Sequence, residues 1–425
     1  MIDLDQQYKR ALETCLSALA PYPERQFAGR GVVICAGGPM MFTNAYVLVH
    51  VLRNALGCRL PIEIWHFGAT EMSPRMAALL RELDAATIDA TAELTKRPAA
   101  IEDGWQLKIY ALMGSAFEQV LLLDADNVPA RNPVDIFESP PFRETGAVLW
   151  PDIVDIVAEN PIWRACGLEP RVAAAIESGQ VLIDKSKCWG ALQAVLHLNE
   201  NAAQYFRFIY GDKDTWLLGF LLTRSPYSLI PFAPIADGNW ALYQRDFDGA
   251  ALFQHRTGSK WRYAGPQDEL PGFVGEAACA TALDALRRRW NGLVFNVPNR
   301  RIEALRAEAE LTQRRAFTIV SPGRLPERLE LDTDGEIGVG AAADRRNWYC
   351  DVADGVVNLV LCDAFGPRWR LVRQAEDRWQ GRGVIDPSLE AAMAPGAPEG
   401  GAFAPRFVQP WPTRGAYSNR EDARG

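Results

Sequence analysis

The chain has no run of apolar residues near the ~18 that a membrane-spanning helix needs, no Lys/Arg tract and no Cys-x-x-Cys pair. The first absence leaves no transmembrane segment to expect. The second, with a formal net charge of −8, removes nucleic acid and anionic membrane surfaces as expected partners. The eight cysteines (Cys15, Cys35, Cys58, Cys166, Cys188, Cys279, Cys350 and Cys362) lie scattered, so a zinc site built from them is not expected. They read as reduced, mostly buried thiols and point to a cytoplasmic location. The Gly-x-Gly-x-x-Gly and Walker patterns are also missing, which withdraws support for a dinucleotide fold or a P-loop. The opening residues Met1-Ile2-Asp3-Leu4-Asp5 lack the basic flank and apolar core of a signal peptide.

What is present is an ordinary globular composition, 48% hydrophobic and 23% charged over 425 residues, enough for two domains. Residues 1–27 read as a helical lead-in closed by Pro21 and Pro23. Gly31–Ala36 is a buried strand broken by Gly37-Gly38-Pro39, and a helix is expected from about Asn44 to Leu56. Pro61–Phe67 is a second strand and Pro74–Leu83 a second helix. After a less regular stretch, Lys108–Phe117 is a helix leading into the strand Leu121-Leu122-Leu123. Strands alternating with helices predict an α/β fold with a mostly parallel sheet. The alternation continues through Ala147–Trp150 and Gly179–Ile183 to helices around Trp189–Tyr210 and Asp214–Leu222. From residue 316 the pattern changes to short strands parted by Gly/Asp/Pro turns, which predicts a small antiparallel β module over 316–385. Residues 386–425, rich in Ala, Pro and Gly, read as a loose tail.

The chemistry begins at Asp124-Ala125-Asp126, two carboxylates directly after a buried apolar strand. Such a pair is costly to desolvate unless a cation shares its charge, and ligands of open α/β sheets sit at the carboxyl ends of strands. A hard divalent ion with substrate phosphate is the simplest occupant, although one acid could instead cap the next turn. Of the four histidines, His50 and His197 fall in apolar helical stretches, whereas His255 opens the cationic loop Arg256-Thr257-Gly258-Ser259-Lys260. An imidazole can complete a metal shell begun by carboxylates, and Arg256 and Lys260 could neutralise a diphosphate. Glu177, ahead of an apolar strand, is not explained by capping. Asp212 and Thr215 are read as helix caps. Gly37-Gly38 could let a nucleotide approach the backbone. Trp348, Trp369 and Trp379 could stack on sugars, but tryptophans in a small β module are more commonly core.

The ordered stretches Leu60–His66, Lys108 with its helix, Val120–Pro133, Trp150-Pro151-Asp152, Glu177–Val181, Gly211–Thr215 and Gln254-His255-Arg256 resemble the GT-A glycosyltransferases. The likeness is greatest to the fungal-type α-mannosyltransferase family, and it spans residues 30–262. The spacing of His255, Gly258 and Lys260 is also similar to that of the glycogenin and bacterial galactosyltransferase family. The resemblance implies a Rossmann-like sheet with helices on both faces, making residues 28–315 a nucleotide-sugar-dependent catalytic domain with a helical extension. It implies Mn²⁺ or Mg²⁺ on Asp124, Asp126 and His255, with Lys260 on the donor diphosphate and Gly37-Gly38 lining the nucleotide pocket. Lys108, Trp150, Asp152, Glu177, Gln180 and Asp214 would surround the transferred sugar or the acceptor. Glu177 or Asp214 is then the carboxylate nearest the reacting carbon, with Gln180 beside them. The expected reaction is retaining transfer of a hexose, mannose favoured, from GDP-mannose or a UDP-sugar to a glycan or other hydroxyl acceptor. The fungal enzymes carry a membrane anchor and work in the Golgi, and no such segment is read here.

Rival readings are a catalytically inactive carbohydrate-binding protein, a haloacid-dehalogenase-like phosphatase and a sugar nucleotidyltransferase. The phosphatase motif normally opens the first strand of its domain, whereas two strands precede Asp124. The nucleotidyltransferase's Gly-rich first loop is absent after Ile34.

Overall fold

The computed structural model describes residues 4–292 other than 69–70, 102, 237–240, 264–266 and 291, most of 302–395, and 417–419. Helix α1 (Leu4–Ser17) precedes the strands β1 (Arg30–Cys35), β2 (Ile62–His66), β3 (Ala85–Asp89), β4 (Gln119–Asp124), β5 (Asn127–Pro129), β6 (Ala147–Leu149), β7 (Pro151–Ile156), β8 (Ala173–Ile176), β9 (Gln180–Asp184) and β10 (Ser228–Leu229). Seven of these strands make one sheet in the order β10-β6-β9-β4-β1-β2-β3. β1 runs parallel to β2 and β4, β2 to β3, and β10 to β6, while β9 is antiparallel to both its neighbours. The fold is thus α/β with a mostly parallel sheet, as expected.

Alternation along the strands divides their side chains between two cores. Val33, Leu122, Val181 and Ile183 join one core, and Val32, Ile34, Leu121, Leu123 and Leu182 join the other. Both faces are therefore covered, which is why these strands read as unbroken apolar runs. The first core takes in α5 (Gly104–Gly114) and the helix Lys185–Glu200. The second takes in α2 (Gly38–His50) and α3 (Pro74–Arg81). Each fully buried Leu, Ile or Val contributes about 1.5–3 kcal/mol.

Several boundaries differ from expectation. Helix α2 starts at Gly38, not near Asn44, because Pro39 lies in its first turn, where no intrahelical N–H is needed. It is buried on nearly every side, so no apolar stripe marks its start, and it passes into a π-helical turn at Val51–Ala55. The less regular stretch holds β3 and the short helix α4 (Ala90–Lys96), capped by the Asp89 carboxylate on the Thr91 amide. Helix α5 begins at Gly104 through a capping box between Asp103 and Gln106, four residues before the Lys108 start expected.

A second sheet, in the order β11 (Ile235–Ala236), β12 (Leu242–Arg245), β13 (Ala251–His255) and β5, ties late and early chain together. His255 pairs with Asn127 across β13 and β5. The antiparallel sheet that begins at Ala316 has seven strands and runs to Pro395, past the expected end at 385. Its core joins Phe317, Leu359, Leu371 and Met393 to Ala304, Ala307 and Leu311 of the preceding helix Ile302–Arg314. Trp348, Trp369 and Trp379 are buried in that core and present no stacking face. Within the expected tail, Tyr417–Asn419 pairs antiparallel with β7, and residues 396–416 lie outside the described residues. Among the described residues no helix is long and apolar enough to cross a membrane.

Candidate active site

Topology brings four distant segments to the carboxyl end of β4. Because β9 runs antiparallel to β4, its opening residues meet the end of that strand: Leu123 pairs with Gln180, and the Asp124 amide donates to the Gly179 carbonyl at 2.9 Å. From the other side, the pairing of β13 with β5 places His255 beside Asp126, and the Arg256 amide donates to the Asp126 carbonyl at 3.0 Å.

Asp124, Asp126 and His255 each offer a ligand atom, all within 4.8 Å of one another. Nε2 of His255 lies 3.2 Å from Asp126 Oδ1 and 3.7 Å from Asp124 Oδ2. Two carboxylates and one imidazole suit Mn²⁺ or Mg²⁺ in donor type. Lys260 pairs with Asp126 Oδ2 and leaves Oδ1 toward Nε2, whereas Lys108 lies 2.8 Å from Asp124 Oδ1 and donates to its Oδ2 at 2.9 Å. The three residues therefore fit a divalent ion. Lys260 also donates to the Thr257 carbonyl, and its side chain is 27% exposed, against 8% for Lys108 and 9% for Lys213.

Glu177 has a task the sequence did not suggest. Its Oε1 accepts from the Gly179 amide at 2.8 Å and from Nδ1 of His255 at 2.9 Å. A carboxylate behind an imidazole fixes its orientation and tautomer, which would leave the Nε2 lone pair for a bound ion once Nε2 gives up its proton. Gly179 makes room for this pair, because a Cβ there would come 2.4 Å from His255 Nδ1 and 2.7 Å from Glu177 Oε1. Burial alone would lower the His255 pKa, but Asp126 and Glu177 outweigh it and raise it to about 10. Burial would raise Asp126 and Glu177. Lys260 and His255 hold Asp126 below the usual carboxylate range, and His255 with Lys213 does the same for Glu177.

Lys108 stands behind Asp124, also bonding Ser178 Oγ at 3.2 Å and facing Asp212 at 3.4 Å. Asp212 was expected to cap a helix, yet its side chain makes no cap bond to the helix Lys213–Thr223. It faces Lys108 and the Trp216 indole instead, and burial raises its pKa to about 6 despite Lys108. Lys213, passed over in the sequence, pairs with Asp152 and is buried. The only signal for both was their place beside Asp214 in Gly211–Thr215.

Other expected site residues lie deeper. Asp214 is fully buried, and its carboxylate accepts from the Ile176 amide at 2.9 Å, bracing β8. Gln180 is fully buried and accepts from Asn127 at 2.6 Å, while its Nε2 has no partner among the described residues. Trp150 is buried, its indole donating to the Arg245 carbonyl. Gly37 admits Glu71 rather than leaving an open cradle, since a Cβ there would meet the Glu71 carboxylate at 2.1 Å. Gly38 donates to the Glu71 carbonyl at 2.9 Å. Arg256, a candidate for the diphosphate, is fully buried. It stacks 3.9 Å from the Trp261 ring centroid and donates to the Ser259 and Asp268 carbonyls, so it builds the loop that carries Lys260.

The chain matches a family model described as "Mannosyltransferase putative" over residues 29–162 and 168–256. It is 27% identical over 290 residues to alpha-1,2-mannosyltransferase MNN21 of Candida albicans, covering 55% of this chain and 43% of that protein. With alpha-1,2-mannosyltransferase MNN2 of Saccharomyces cerevisiae it shares 25% identity over 316 residues, or 61% of this chain and 51% of the relative. The chain thus spans about half the length of these curated relatives. Among solved structures it is similar to the mannosyltransferase Ktr4p of S. cerevisiae, at 7% identity and a TM-score of 0.31, over 50% of this chain and 73% of that one. All four segments of the site, from β4, β9, the helix at Lys213 and β13, fall within or adjoin the matched residues, and the chain belongs to this mannosyltransferase family.

Proposed function

We propose that the protein is a metal-dependent, retaining mannosyltransferase. It moves mannose from GDP-mannose, or a hexose from a UDP-sugar, to a hydroxyl of a glycan acceptor. Donor and acceptor alcohol give the new glycoside, the nucleoside diphosphate and a proton. The observation that carries the reading is the convergence of Asp124, Asp126 and His255 between Lys108 and Lys260, in a chain of the mannosyltransferase family. Asp124, Asp126 and His255 would hold Mn²⁺ or Mg²⁺, which when bound offsets charge on the departing diphosphate.

The protein's own groups do the rest. Lys260 can leave Asp126 for the diphosphate and stabilise charge as it develops there. Glu177 keeps His255 aimed at the ion. Lys108 holds Asp124 and Asp212 together, and the Lys213–Asp152 pair borders the same end. Retention is supported by the relatives' names, because an α-linked product from an α-linked sugar phosphate keeps its configuration. A cytoplasmic site of action belongs to the same proposal, supported by eight free cysteines, six of them buried.

Calorimetric titration with GDP tests the reading. The wild type is expected to bind GDP with Mn²⁺ and to lose most of that affinity on chelation, and Asp126→Asn should bind weakly in both conditions. Equal GDP affinity with and without Mn²⁺ would overturn the metal's part. Binding of glycan but no nucleotide would favour the inactive carbohydrate-binding rival.

A further inference from the structure

Two half-buried aromatic rings stand at the edge of the centre, and the chemistry described so far uses neither. Trp105 lies in the first turn of α5, three residues before Lys108. Tyr210 precedes Gly211 and Asp212. Their ring centroids are 5.6 Å apart with planes 50° from one another. Gly211, at φ +64°, lies against the Trp105 indole, where a Cβ would come within 2.8 Å of the ring. The Tyr210 ring centroid is 5.5 Å from Nζ of Lys213, which pairs with Asp152. The two rings are thus joined through one glycine and one helical turn to Asp212, Lys108 and Lys213.

We propose that Trp105 and Tyr210 are the wall on which a hexose ring of the acceptor glycan packs, with Asp212, Asp152 and Lys213 bordering its hydroxyls. The inference rests on the glycosyltransferase reading above. Trp and Tyr combine a broad apolar face with low conformational entropy and a polar tip. A pyranose presents a face of C–H groups and a rim of hydroxyls, so an aromatic wall beside charged acceptors and donors matches it. The placement favours acceptor over nucleotide. Lys260, the mobile cation for the diphosphate, pairs with Asp126, whereas the rings adjoin Lys108 and Asp212 on the Asp124 side. The buried tryptophans of the C-terminal sheet offer no such face.

The test compares the full-length wild type with Trp105→Ala, Trp105→Phe and Tyr210→Ala, using methyl α-mannoside and α-linked mannobiose as acceptor probes. The KM for acceptor should rise about tenfold in Trp105→Ala and Tyr210→Ala. Trp105→Phe should recover most of the loss, and Mn²⁺-dependent GDP affinity should stay within about twofold. If Trp105→Ala does not fold, Tyr210→Ala and Trp105→Phe carry the comparison. An unchanged acceptor KM would overturn the wall, and so would a loss of GDP affinity instead, which would make the rings a base-stacking site. Should the wild type neither bind GDP with Mn²⁺ nor transfer mannose, the functional reading itself has failed. Saturation-transfer NMR with mannobiose then decides alone. Signal lost in Tyr210→Ala keeps the wall, and equal signal in both proteins removes it.

Discussion

At the scale of single residues, the pair Glu177–His255 shows how one carboxylate acquires its role from its partner rather than its type. In the sequence, Glu177 was a carboxylate before an apolar strand and a candidate for the sugar's side. Its Oε1 is spent on the Gly179 amide and His255 Nδ1, so its effect should reach the reaction through the imidazole. Glu177→Gln keeps the shape but leaves the ring orientation undetermined. Mn²⁺ affinity in the presence of GDP is expected to fall about 10–100-fold, read by calorimetry. An unchanged metal affinity would remove the orienting role. Asp124 and Asp126 were legible because two acids after a buried strand demand a cation. Asp212 and Lys213 were not, because a polar residue before a helix has a simpler reading as a cap.

At the scale of elements, the turn after β13 decides where Lys260 can reach. Arg256 packs against Trp261 and Phe273, with centroid distances of 3.9 and 5.2 Å, and its donors hold two loop carbonyls. Arg256→Met strands those carbonyls in a buried place, and the loss in urea unfolding should be about 2–4 kcal/mol. Lysine at the position keeps the charge but not the planar fork, so Arg256→Lys should restore little of the loss. Stability equal to wild type in both variants would contradict the bracing role. Strands β1, β2, β4 and β9 could be read from sequence because burial on both faces leaves continuous apolar runs. The pairing of β5 with β13, which delivers His255, joins segments about 125 residues apart and leaves no local pattern. The early start of α2 was hidden for a related reason: a helix buried all round has no polar face to set its phase.

At the scale of the whole molecule, the sheet's opposite end contains a lysine with no exit to water. Lys185 is fully buried, donating to Ser115 Oγ at 3.0 Å and to its carbonyl at 2.8 Å, with its Nζ 3.8 Å from the Phe27 ring centroid. Burial lowers its pKa from the usual 10.5 of a lysine to about 7. Between those values the unfolded chain holds a proton that the folded chain has released, so stability should rise with pH across that window. Below pH 7 the full penalty of a buried charge applies. The wild type is therefore expected to gain up to about 1.4 kcal/mol per pH unit relative to Lys185→Met between pH 7 and 10. Urea unfolding of both proteins at pH 7 and 9 checks the sign, and a constant difference would contradict it.

The central claim is transfer of mannose at the Asp124–Asp126–His255 centre. Its most direct measurement is product formation from GDP-mannose and α-mannobiose with Mn²⁺, with anomeric configuration read by NMR. An α-linked trisaccharide formed by the wild type, lost on chelation and reduced at least about 100-fold in Asp126→Asn, is the predicted result. Undiminished transfer by Asp126→Asn, or transfer that persists without a divalent ion, would contradict it.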